Sequence, residues 1–230
     1  MGFLKKFFRN VIRDGSVPVG TSSFERLSED ELEAHLGVAR YGAFQLTDAV
    51  RPSYDLQVVP CQGYRHDCYR DDENHTTVPV LMGAVSNEQL FDAFLDLLDP
   101  LGNVVDVVLE TSHDRSRQGH QDLYREHIDL PVLKSILWEY EELILNDGCT
   151  GVAVLNPGIP QEVQFDEHKL LIVYGTHLDE FEDVFDQRNV NRDERIKFIT
   201  EAEHVHSSSD HFARQFEELK TRLGMDGGYF

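Results

Sequence analysis

Residues 78–109 read VPVLMGAVSNEQLFDAFLDLLDPLGNVVDVVL, and this stretch decides the fold class. Residues 78–85 form an apolar run of the length of a buried strand. Ser86 and Gln89 have the spacing of a capping box, and Leu90, Phe91, Phe94, Leu97 and Leu98 then recur at helical period until Pro100 and Gly102 stop them. Residues 104–109 make a second apolar run. A strand, a helix of about three turns and a strand form a β-α-β unit, whose expected form is a parallel pair with a right-handed crossover.

Working toward the C-terminus, Asp129 is placed to cap a long helix carrying Leu133, Ile136, Leu137, Tyr140 and Ile144, with Asn146, Asp147 and Gly148 ending it. Residues 151–155 read as a strand. Residues 163–165 and 170–174 flank the polar Asp166-Glu167-His168-Lys169 as a hairpin does. Three helices are expected after that: one marked by Leu178, Phe181 and Phe185, one opened by Asn191 and Glu194 and carrying Ile196 and Ile199, and one with Phe212, Phe216, Leu219 and Leu223 on a single face after a Ser209 cap. The fold class is therefore α/β: a single layered domain with a mixed sheet of about four to six strands, the β-α-β unit in its middle and helices at the C-terminus.

Upstream the pattern is less regular. Ser28 with Glu31 is a capping box that starts a short helix ending near Leu36, residues 56–59 are the one plausible strand between 41 and 77, and residues 65–77 read as a polar excursion. Residues 14–23 are rich in Gly, Ser, Pro and Thr and read as a linker. The organisation expected is a basic amphipathic segment and linker over 1–23, one globular domain over 24–226 and a tail over 227–230.

Charge is segregated along the chain. Residues 1–13 carry four basic side chains, Lys5, Lys6, Arg9 and Arg13, and no acid, in a protein whose net charge is −21. Phe3, Leu4, Phe7, Phe8, Val11 and Ile12 fall in pairs one helical turn apart, so a helix there would be apolar on one side and cationic on the other. Such a segment suits docking on a protein partner or an anionic membrane surface. Packing on its own domain is the alternative use of the same apolar face. The acidic remainder argues against nucleic acid as a partner, because phosphate binding depends on basic surface. No apolar run approaches the ~20 residues that span a bilayer, and Lys5, Lys6 and Arg9 interrupt what a secretory signal would keep apolar. Three cysteines, Cys61, Cys68 and Cys149, do not make a disulfide framework. A cytoplasmic protein, peripheral to the inner face of a membrane where the segment docks, is the expectation.

Two polar clusters carry the chemistry. Residues 111–127 read as a loop after a strand and hold His113 and Asp114, a base with a carboxylate beside it, and Arg115, Arg117 and His120 as ligand-binding donors for a carboxylate or phosphate. His204 and His206 would face the same way on an extended stretch, as a chelating pair must, with His211 or Glu203 as a third ligand; three protein ligands and a water suit catalytic zinc. Cys61, His66, Cys68 and His75 are spaced too widely for a zinc knuckle. The chain has no Gly-x-Gly-x-x-Gly, no phosphate loop, no Gly-x-Ser-x-Gly and no His-Glu-x-x-His, so nucleotide, serine-hydrolase and zinc-protease chemistries lose their usual sequence warrant. The leading expectation is a non-catalytic regulatory or interaction protein docked through residues 1–13. The alternative is a metal-dependent hydrolase acting on a small anionic substrate, with zinc as its cofactor.

Overall fold

The computed structural model of the chain describes residues 11–14, 22–71, 76–113 and 121–225, with the backbone alone at 11–14, 70, 71 and 76. The strands are β1 (Val11–Asp14), β2 (Arg40–Tyr41), β3 (Phe44–Gln45), β4 (Val50–Pro52), β5 (Gly63–Asp71), β6 (Thr76–Ala84), β7 (Val104–Thr111), β8 (Gln121–Asp129), β9 (Thr150–Leu155), β10 (Glu162–Phe165), β11 (Leu171–Tyr174) and β12 (His204–Ser207). The helices are α1 (Glu29–Leu36), α2 (Asn87–Leu97), α3 (Leu130–Glu139), α4 (Glu141–Asn146), α5 (Asp179–Gln187) and α6 (Asp210–Arg222). The fold is mixed α/β. None of the helices among the described residues is long and apolar enough to cross a membrane.

The main sheet has seven strands in the order β5-β6-β11-β10-β9-β7-β8, and every neighbouring pair is antiparallel. A second sheet has the order β1-β12-β4, and β2 pairs with β3. This corrects the expected mixed sheet of four to six strands. The strand-helix-strand unit exists, and β6 and β7 do run in the same direction, but β11, β10 and β9 lie between them, so the connection through α2 crosses three strands rather than closing an adjacent parallel pair.

Alternation along the strands explains how two cores form on one sheet. Leu81, Val105, Val107, Leu109, Val152, Val154, Val163, Phe165, Leu171 and Val173 face a core with α2 to α6. Val80, Ala84 and Ile172 face the other side, against Phe44, Leu46, Val50, Ile196, Phe198 and Ile199. The terminal helix buries Phe216 and Leu219 in the first core, and its Ser209 accepts from the Phe212 N–H at 3.2 Å. Ser28 and Glu31 close the capping box of α1.

Several local expectations are revised. Residues 56–59 are not a strand. The polar stretch over 65–77 instead holds most of β5 and the start of β6, and the expected loop over 111–127 contains most of β8. The long helix after Asp129 breaks at Tyr140 into α3 and α4. Residues 191–198 hold one turn and a bridge from Arg192 to Tyr64, and lead into a short 3-10 segment at Ile199–Glu201 in place of the expected helix. At the N-terminus, Val11, Ile12 and Arg13 are strand rather than helix, with Ile12 opposite His206 and Asp14 opposite His204. Phe3, Leu4, Lys5, Lys6, Phe7, Phe8 and Arg9 lie outside the described residues.

Candidate metal centre

His204 and His206 stand two apart on β12, so both rings leave the same side of the strand while Val205 between them packs against Phe24 and Leu32 on the other. The β10–β11 turn brings His168 to them. Its tightness comes from Asp166, whose carbonyl accepts from the Lys169 N–H at 3.0 Å and whose Oδ1 accepts from the Leu170 N–H at 2.7 Å, with Lys169 in the left-handed region at φ 66°. The ring centroids of His168 lie 4.9 Å from His204 and 4.7 Å from His206, and those two lie 5.1 Å apart. One nitrogen from each of the three lies within 4.8 Å of the others.

The second nitrogen of each ring is committed to an oxygen. His204 Nδ1 is 2.8 Å from the Ala202 carbonyl, His206 Nδ1 is 2.8 Å from the Gly148 carbonyl, and His168 Nδ1 is 2.7 Å from Asp166 Oδ2. A carbonyl oxygen only accepts, so in the two β12 rings Nδ1 donates and the lone pair of the neutral ring sits on Nε2. Asp166 imposes the same tautomer on His168: burial pushes its carboxyl up, but His168, the Leu170 N–H and Lys169 outweigh that and hold it below the usual range. Three imidazoles oriented through Nδ1, two by carbonyls and one by a carboxylate, are the arrangement that metal-ligating histidines adopt. A tetrahedral zinc with bonds of about 2.0–2.1 Å needs nitrogens about 3.4 Å apart, so closure of the rings by at most about 1.4 Å completes the geometry.

Lys169 lies beside this group, buried, with its Nζ donating to the Thr150 carbonyl at 3.0 Å. Burial brings its pKa down to about 8, against the opposing pull of Asp147, Asp166, Glu167 and Cys149. His168 and Lys169 also line a small pocket of about 20 Å³, room for about one water molecule, whose walls are largely apolar (Phe44, Leu46, Ala84, Leu90, Phe198) and which Lys197 also lines.

The residues singled out from sequence separate into distinct locations. His204 and His206 come together. Glu203 is buried but takes hydrogen bonds from the Ser22 hydroxyl, the Ser23 N–H at 2.9 Å and the Ser23 hydroxyl at 2.7 Å, and His211 is exposed on α6 against Phe212. Neither belongs to the three-histidine group. His113 sits 3.0 Å from Asp147 Oδ2, with Thr111 Oγ1 at 2.7 Å from its Nδ1. Asp114, Arg115, Arg117 and His120 lie outside the described residues, as does His75. Cys61 and Cys68 are exposed, and His66 pairs with Glu182 at 3.1 Å. The ligand missed from sequence is His168. Its only local signal was the carboxylate two residues before it, in a stretch that reads equally well as a polar turn.

Comparison with protein-family models, curated proteins and solved structures finds no match to this chain.

Proposed function

We propose that the protein is a metal-dependent hydrolase acting on a small anionic substrate, with one zinc ion on His168, His204 and His206. The observation that carries this reading is the convergence of three imidazoles whose Nδ1 positions are all held by oxygen acceptors. Three histidine ligands leave one coordination position for water, and zinc lowers the pKa of that water to about 7. Lys169 and Lys197, which line the small pocket beside His168, support a substrate that carries an anionic group.

The test is zinc content and hydrolysis measured together on untagged protein, stripped with a chelator and reloaded, against a panel of aryl and alkyl esters, amides and phosphoesters. Hydrolysis lost on chelation, restored by zinc and absent in His168→Ala is the expected result. A stoichiometric metal without hydrolysis of any member would overturn the enzymatic part, and no metal would overturn the reading.

Docking through residues 1–13 keeps the charge segregation as its support. The pairing of β1 with β12 supports instead the reading in which this segment belongs to its own domain. Sedimentation with anionic vesicles at low salt separates the two, since docking predicts binding that is lost when residues 1–10 are removed.

A further inference from the structure

We propose that His113, Asp147 and Cys149 hold a second metal ion, independent of the three-histidine site. One ligand atom from each lies within 4.8 Å of the others. They come from the end of β7 and from the link between α4 and β9, which the Ser112 N–H ties together by donating to the Cys149 carbonyl at 3.0 Å.

Two polar atoms in this group point to a ligand. Asp147 is fully buried, and among the described residues its Oδ1 has no hydrogen-bond partner, while its Oδ2 accepts from the Thr150 hydroxyl; burial pushes the carboxyl up, but His113, Ser208 and Thr150 together hold it below the usual range. His113 Nε2 is also buried and 3.0 Å from Asp147 Oδ2, yet it makes no aligned hydrogen bond with that oxygen. A donor and an acceptor would point at each other. Two ligands of one ion also lie side by side at short range, so a shared cation would account for a contact that is close but not aligned.

The chemistry of the set identifies the class of ion. A sulfur, an imidazole and a carboxylate suit zinc or another borderline divalent transition metal and do not suit calcium or magnesium, which take oxygen ligands. A buried carboxylate with an unsatisfied oxygen is costly, and a cation offsets that cost. Lys169 brings a positive charge near Asp147, but its Nζ donates to the Thr150 carbonyl and, among the described residues, makes no hydrogen bond to the carboxylate. The site also touches the first one through the backbone: Gly148, between Asp147 and Cys149, supplies the carbonyl that orients His206.

Cobalt tests this directly, since only a thiolate ligand produces a sulfur-to-cobalt charge-transfer band and the three-histidine site has none. The chain is used untagged and full length, with the exposed Cys61 and Cys68 changed to Ser, stripped by a chelator and titrated with Co²⁺, and bound zinc is counted in parallel. The expected result is two equivalents of zinc and a charge-transfer band. Cys149→Ser should drop to one equivalent and lose the band, and His204→Ala should drop to one and keep it, with circular dichroism confirming that both fold. One equivalent with no band in the parent protein, whatever the variants do, overturns the second site and leaves the first standing. One equivalent with the band, unaffected by His204→Ala, supports the second site and overturns the first.

Discussion

Gly148 has no room for a side chain: a Cβ there would lie 2.5 Å from the Ala49 carbonyl oxygen, 2.9 Å from that of Ser207 and 3.0 Å from His206 Cβ. The close approach lets its carbonyl reach His206, so Gly148→Ala must push β12 away from the start of β9. A loss of about 1–3 kcal/mol in a urea titration is expected, as for other overpacked sites, together with weaker zinc binding. Unchanged stability and affinity would mean that the orientation of His206 does not depend on this contact. Asp166→Asn tests the orientation of His168 without changing its shape. Removing the carboxylate charge that backs the ring should weaken zinc binding by about 10–100-fold in a competition titration, and an unchanged affinity would remove Asp166 from the site. At this scale the sequence reveals His204 and His206, because alternation on a strand puts them on one side. It does not reveal His168, because nothing local distinguishes a histidine in a turn that meets another sheet from one in a turn that meets water.

The helix α6 is the element on which the sequence and the structure agree most closely. A Ser209 cap and the Phe212, Phe216, Leu219, Leu223 stripe foretell a helix that covers the sheet, and Phe216 is 2% exposed. Phe216→Ala should cost about 3–5 kcal/mol in a denaturant titration, and a loss below about 1 kcal/mol would make α6 peripheral. It also packs on His113, with ring centroids 5.5 Å apart, so the same variant should loosen that residue. In the main sheet, the strands misread from sequence are β5 and β8, and the reason is their position. They are the two edges of the main sheet, and β8 buries only Ile128. An edge strand exposed on both faces carries no apolar alternation for a periodicity to register, and charged residues such as Arg125 and Glu126 there protect the edge from pairing with another chain.

For the whole molecule, the strand-helix-strand reading of residues 78–109 identifies the elements but not their neighbours. Periodicity reports which residues share a face; it does not report that β9, β10 and β11, which come later in the chain, insert between β6 and β7. The net charge of −21 acts at this scale too, by repulsion within the folded state. Salt shortens the range of that repulsion from about 10 Å at 0.1 M to about 3 Å at 1 M. The melting temperature should therefore rise with KCl, by about 2–4 °C for each kcal/mol relieved, and a fall would show that attractive pairs dominate instead. Anomalous diffraction at the zinc edge, from crystals grown with zinc, decides whether β12 and the β10–β11 turn together build a metal site. A peak bonded to Nε2 of His168, His204 and His206 at about 2.0–2.1 Å is the expected result. Three rings turned apart at saturating zinc, with no peak between them, would contradict it.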